Sequence, residues 1–130
     1  MSNIYIDISA KASVGVTFDG GGGNVIALNT VAYAIMPITG RIDYWDLVGD
    51  VSGAVQIDVW KHASPTPPVD ADSITNGHEP KISASGVYAT QTDLSNWLSV
   101  DVTESDILGF NVDSVTSMSR VTLMLHIVKT

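Results

Sequence analysis

Histidine, cysteine and serine are the side chains in which nucleophilic or metal chemistry would first be sought. The three histidines, His62, His78 and His126, lie far apart and share no metal-ligand spacing such as His-x-x-x-His. The chain has no cysteine, which excludes a thiol nucleophile, and no serine lies in a Gly-x-Ser-x-Gly setting. We therefore predict no catalytic residues, no cofactor and no enzymatic activity.

Aspartates make up twelve of the fourteen acidic residues and are scattered singly along the chain. Two groups could supply the oxygen ligands of a calcium site: Asp43 with Asp46 and Asp50, and Asp70 with Asp72. The spacing of an EF-hand is absent, however, and aspartates in loops usually stabilise turns and cap helices. We therefore assign no metal ligand.

Aromatic side chains are the better candidates for binding. The segment Ser52–His62 alternates strictly, as a strand with one buried and one wet face does. Its two faces are Val55, Ile57 and Val59 on one side and Gln56, Asp58 and Trp60 on the other. Trp60 could pack against another subunit, beneath the proline-rich residues 63–71 of its own chain, or on a glycan. We name Trp60, Trp97 and Tyr88 as candidate interface or glycan-binding residues.

The elements that position these residues are predicted to be strands throughout. Alternating segments separated by turn signals at intervals of about ten residues are typical of β-sandwiches and barrels. The longest is Met118–Lys129, with Val121, Leu123, Leu125 and Ile127 on one face. The other predicted strands cover residues 14–18, 25–28, 31–36, 41–48, 80–85, 87–92, 99–102 and 107–112. A turn is expected at 49–53, and no helix longer than a turn or two.

The N-terminal residues also alternate between apolar and polar types, which predicts an edge strand over residues 3–8. An edge strand offers unpaired backbone groups that a neighbouring subunit can complete. We therefore divide the chain into a docking segment, residues 1–13, and a sandwich domain, residues 14–130. The candidate docking residues are Ile4, Tyr5 and Ile6.

The charge and hydropathy of the sequence limit the classes of partner that the protein is expected to bind. Six basic residues against fourteen acidic ones give a formal net charge of −8. Such a surface repels phosphate backbones and anionic lipids, so neither nucleic acid nor a membrane is an expected partner. The sequence has no apolar run of about 18 residues and no secretory signal, so the chain is expected to start in a cytoplasm.

An ordered series of short motifs supports a more specific interpretation. The series is Ile57-Asp58-Val59-Trp60-Lys61, Pro67-Pro68, Ala71-Asp72-Ser73-Ile74-Thr75, Lys81-Ile82-Ser83, Leu94-Ser95-Asn96-Trp97, Asp106-Ile107-Leu108-Gly109-Phe110-Asn111-Val112-Asp113-Ser114 and Arg120-Val121-Thr122-Leu123. It resembles a module that recurs in the virion proteins of tailed bacteriophages, and it covers roughly Val14 to the C-terminus. The resemblance implies an all-β fold, a single antiparallel β-sandwich of the jelly-roll-like kind, with no catalytic motif.

The resemblance also implies partners and a location. Residues 1–13 stand where a complete fibre would have an anchor and a repetitive shaft, which favours a small decoration or accessory protein of the virion, assembled in the host cytoplasm. The expected partners are other capsid or tail proteins and further copies of the chain, with a trimer as one candidate. The alternative function is a carbohydrate-binding head of a tail fibre or spike, with a host surface glycan as its ligand and host attachment as its role.

Overall fold

A computed structural model describes residues 10–130 of the chain. Every strand pairing in it is antiparallel. The strands are β1 (Lys11–Asp19), β2 (Val31–Ile35), β3 (Gly40–His62), β4 (Lys81–Gln91), β5 (Asp101–Val102), β6 (Ile107–Thr116) and β7 (Arg120–Lys129), and a 3-10 turn covers Asp70–Asp72. The prediction of an all-β single domain is confirmed, and the described residues contain no α-helix.

The long strand β3 organises the sheet. Its first half pairs with β7 and its second half with β6, while β4 pairs with both halves. One layer is therefore β1-β7-β3-β4, with the short β5 beside the start of β3, and the other layer is β2-β6-β3-β4. Because β3 and β4 pass from one layer into the other, the two layers are joined along one side, and the sheet curves towards a barrel.

The core lies between the two layers and follows the period-two alternation of the strands. In β7, Val121, Leu123, Leu125 and Ile127 are each at most 1% exposed, which confirms the prediction for this strand. In β3, a register shift between Ile42 and Tyr44 changes the parity of the strand. Ile42 and Trp45 therefore both face the core, although their positions differ by three, which in a regular strand would put them on opposite faces.

Three sequence-based predictions about strand boundaries are wrong. The turn expected at 49–53 does not occur, because β3 runs through these residues and bends. The two strands expected at 80–85 and 87–92 are one strand, β4, which follows the same bend. Residues 25–28 form no strand, although Ile26 is buried and its amide donates to the carbonyl of Met118.

The first strand begins before the boundary drawn from the sequence. Lys11 pairs with Val128, so residues 11–13 are part of the sheet. Ile4, Tyr5 and Ile6 lie outside the described residues, and their docking role stays a prediction. Residues 10–130 contain no helix that is both long enough and apolar enough to span a membrane.

Candidate functional site

A buried carboxylate, Asp58, lies at the centre of the outer face of the second layer. Its neighbours Ile57 and Val59 point into the core, so alternation directs Asp58 outwards, yet it is only 5% exposed. Its Oδ1 accepts hydrogen bonds from the hydroxyls of Ser73 and Thr75, both at 2.7 Å. Asp58 therefore fastens the segment after the 3-10 turn onto β3.

Trp60 is covered by the same segment. Its indole Nε1 donates to Oδ2 of Asp58 at 3.1 Å, and its backbone forms an isolated bridge with Ser73. On β6, Gly109 leaves room for the ring, since a Cβ there would lie 3.0 Å from Trp60 and 3.1 Å from Pro68. The expectation that Trp60 lies on a wet face is wrong, because it is 7% exposed. Within the chain, Trp60 packs beside Ser73 and near Pro68, in keeping with the second alternative, and a contact with another subunit or a glycan stays a prediction.

The other two candidate aromatic residues lie elsewhere. Trp97 is 7% exposed, and its Nε1 donates to the carbonyl of His78 at 3.0 Å. Tyr88 is 56% exposed on β4, and its hydroxyl donates to Oδ1 of Asp46 at 2.7 Å. Trp97 borders a groove in which neither Trp60 nor Tyr88 takes part. The three residues therefore form no common aromatic platform, and a binding role for each stays a prediction.

Three carboxylates from different elements approach one another beside Asp58. Asp58, Glu79 and Asp113 can each offer an oxygen, and these oxygens lie within 4.8 Å of one another. Such a group could hold only a cation that accepts oxygen ligands. Each carboxylate already has a partner, however: Gln56 donates to Glu79 at 2.9 Å, and Asn111 donates to Asp113 at 2.6 Å. Neither aspartate group considered from the sequence forms a comparable cluster within residues 10–130.

The charge of this cluster affects Asp113. Desolvation by burial raises the pKa of its carboxyl, and the negative charges of Asp58 and Glu79 raise it further, while the hydrogen bond from Asn111 lowers it. The raised pKa of Asp113 therefore reflects first the loss of hydration and then the repulsion by neighbouring carboxylates.

On the outer face of the first layer, a row of polar residues crosses three strands. His126 Nε2 lies 2.6 Å from Oδ2 of Asp46, its ring stacks on Tyr44 at 4.0 Å, and its Nδ1 lies 3.4 Å from the hydroxyl of Ser13. The hydrogen bond from Tyr88 is the main cause that lowers the pKa of Asp46. The row contains the residue types of a hydrolytic triad, but at 3.4 Å the serine contact is long for a hydrogen bond.

This row could not be predicted from the sequence, because Ser13, Asp46 and His126 meet only through the register of β1, β3 and β7. We assign the row to stabilising the outer face, since Asp46 is shared between Tyr88 and His126 and the hydroxyl of Ser13 has no close base.

This chain is similar to known proteins in structure but matches none of those compared by sequence. No protein-family model matches the sequence, and no curated protein matches it. Among solved structures, one of the capsid of Ralstonia phage GP4 aligns over 100% of this chain and 92% of the matched chain, with a TM-score of 0.53 and 15% identity. The fold is similar to that of a phage capsid protein. At this identity, the likeness shows a shared fold alone.

Two weaker likenesses carry no argument about function. The SPBc2 prophage-derived protein YomS has a TM-score of 0.44 and 15% identity, with 96% of this chain and 100% of that chain covered. A serine protease of Aeromonas sobria has a TM-score of 0.38 and 4% identity, and the alignment covers 94% of this chain but only 28% of the protease.

Proposed function

We propose that this protein is a non-enzymatic structural component of a bacteriophage virion, a small surface, decoration or accessory protein that works through contacts with other proteins. The observation that carries the proposal is the fold similarity to the phage GP4 capsid structure, because it extends over both chains almost completely. A domain that matches over nearly the whole length of both chains has a similar arrangement of strands and edges, from which contacts in a particle can be built.

The exposed surface is compatible with a role in contact. Tyr33 and Ile35 lie on the outer face of the end strand β2 and are 54% and 68% exposed. Apolar side chains on a strand at the end of a sheet are typical of surfaces that another protein covers. Together with the alternating residues 3–8, they are the surfaces through which we propose that copies of the chain, or other virion proteins, associate.

The test is incorporation into particles. Phage particles from cells that express the tagged full-length chain should contain it after purification, as measured by mass spectrometry and by cryo-electron microscopy. Absence of the chain from purified particles would overturn the proposal.

A deletion variant tests the role of the docking segment independently of the folded domain. Because β1 begins at Lys11, removing residues 1–9 leaves every described strand intact. We expect this deletion to reduce incorporation and the oligomer mass measured by light scattering. The double substitution Ile4→Ser with Ile6→Ser should act in the same way, whereas Val69→Ser, which changes an exposed apolar residue of the loop, should not. Wild-type incorporation of the deletion variant would exclude the docking role and leave the virion role standing.

A further inference from the structure

A groove of about 330 Å³ lies between the edge strand β4 and two loops, residues 77–79 and 93–97. Its size is in the range of small-molecule sites. It lies on the opposite side of β3 from the strands β6 and β7, and Trp60, Tyr88 and the row of residues around His126 are not part of its wall.

The two loops that form the groove are tied to one another. Trp97 Nε1 donates to the carbonyl of His78 at 3.0 Å, and the side chain of Asn76 donates to the carbonyl of Asn96 at 3.1 Å. The amide of Leu98 donates to the carbonyl of Ile74 at 2.8 Å, which fixes the end of the second loop. The groove is therefore preorganised, and a ligand would not have to order these loops on binding.

A buried donor without a partner lies in the wall of this groove. Trp45 borders the groove and is 5% exposed. Within residues 10–130, its indole Nε1 is the one buried side-chain nitrogen or oxygen that makes no hydrogen bond. Unpaired buried donors are uncommon in folded proteins because they forgo the hydrogen bond that water would give. Because this atom is buried, a ligand in the groove would change the surroundings of Trp45 without bonding directly to Nε1.

The other groups of the wall define the class of ligand. The wall contains two carboxylates, Glu79 and Asp93, and one ammonium group, Lys81, so it is on balance negative and does not suit a phosphate or another anion. In residues 10–130, the side chains of Lys81 and Asn96 make no hydrogen bond and remain available. Hydroxyl groups both donate and accept, so a molecule rich in hydroxyls can use carboxylate, amide and ammonium partners together.

We propose that this groove, bordered by Trp45, Trp97, Lys81 and Asn96, binds a neutral carbohydrate. The amide and charged groups bind the hydroxyls of the sugar, while the two indoles, which are 5% and 7% exposed, contribute only small apolar parts of the wall. This site goes beyond the proposed role in the virion, because assembly through protein contacts does not require it. It also differs from an exposed aromatic platform, since both tryptophans lie in the wall as buried side chains.

The test is a titration of the full chain with sugars, followed by ¹H–¹⁵N NMR. The neutral probes are D-glucose, D-galactose, N-acetyl-D-glucosamine and maltose, and the anionic probe is N-acetylneuraminate. We expect at least one neutral sugar to shift the indole resonances of Trp45 and Trp97 and the amides of residues 77–79 and 90–97, with millimolar affinity. The anionic sugar should shift none of them.

Variants give the inference a second readout. Asn96→Ala and Lys81→Ala should each weaken binding of the neutral sugar by about tenfold, the effect of losing one or two hydrogen bonds. Lys129→Ala is the matched control, because it removes the same charge from an exposed position that does not line the groove. The dispersion of the NMR spectrum shows whether each variant is folded.

Three outcomes would overturn the inference: no shift with any neutral sugar, shifts that map outside the groove, or tighter binding of the anionic sugar. A chain that is found in purified particles but binds no sugar refutes the groove and leaves the virion role intact. A chain that binds sugar but is absent from particles refutes the virion role and leaves the groove intact. The two failures can therefore be distinguished.

Discussion

At the scale of single residues, the carboxylate of Asp58 is the polar group whose removal should cost most. It accepts from two hydroxyls, the indole of Trp60 and the amide of Val59. Asp58→Asn places an NH₂ group against one of these donors, so we expect a loss of about 2 kcal/mol in the free energy of unfolding, typical of a hydrogen bond to a charged group. Urea denaturation measures it. Asp101→Asn, at an exposed position, is the matched control and should change little.

Removing the charge of Asp113 should have the opposite effect from removing that of Asp58 and should stabilise the folded protein at neutral pH. Because its pKa is raised in the folded state, the folded protein keeps this proton to a higher pH than the unfolded chain does. The stabilisation is therefore present below the ordinary pKa of 3.8 and is lost as the pH rises through the raised value. Asp113→Asn retains an acceptor for Asn111 and removes the repulsion, so it should raise the melting temperature at neutral pH and have less effect in acid.

Melting curves between acid and neutral pH check this prediction, with Glu104→Gln as a control for an exposed acidic residue. A lower melting temperature of Asp113→Asn at neutral pH would contradict it. If calcium also raised the melting temperature of the wild-type protein, the three carboxylates would have to be assigned to a cation instead of to mutual repulsion.

The residues of the candidate sites show which features could be predicted from the sequence and which could not. Alternation correctly places Trp60 opposite the core-facing valines, but it carries no information about which loop returns over that face. The groove was not predicted, because Trp45 and Asn96 are far apart in sequence and only the pairing of β3 with β4 and the loop after it brings them together. Alternation correctly places Trp45 on the same buried face as Leu47, whereas Ile42 reaches the core only through the register shift before Tyr44, which no periodic pattern indicates.

At the scale of elements, the bend of β3 should be sensitive to side-chain volume. A Cβ on Gly53 would meet the backbone carbonyl oxygen of Thr116, which cannot move without disturbing β6. A Cβ on Gly49 would meet the side chain of Met118, which is flexible. We therefore expect Gly53→Ala to lower the free energy of unfolding by about 2 kcal/mol or more and Gly49→Ala by less than about 1 kcal/mol, within the range for overpacking.

Chemical denaturation of the two glycine variants tests this difference directly, since both substitutions add one methyl group to the same strand. Equal losses, or a larger loss for Gly49→Ala, would show that the close approach of Gly53 to β6 does not control the bend.

The same bend explains why strand boundaries were predicted less well than strand faces. Gly49, Asp50, Ser52 and Gly53 are residues typical of turns, and the sequence therefore predicted a break. In the structure they are needed inside the strand: Asp50 accepts from the amides of Ser119 and Arg120 and so holds the turn between β6 and β7 against the bend. The buried face of β7 was predictable, because no tertiary contact competes with its alternation.

At the scale of the whole molecule, an acidic surface surrounds a domain whose end strand β2 carries exposed apolar side chains. The formal net charge of −8 at pH 7 repels a second copy of the chain. Burial of the exposed side chains of Tyr33 and Ile35 in a contact would instead favour association. The sequence pI is about 4.4. Near that pH the repulsion vanishes, and association through the apolar side chains should increase.

Static light scattering at constant ionic strength measures this balance. We expect the average mass of the wild-type protein to rise as the pH is lowered from neutral to the pI. The substitutions Tyr33→Ser and Ile35→Ser, which leave the charge unchanged, should reduce the rise. Leu98→Ser removes a side chain that is 69% exposed but lies in a loop, so it should leave the rise in place. If all variants associated equally, contacts other than those of β2 would control assembly, and the acidic surface alone would set its pH dependence.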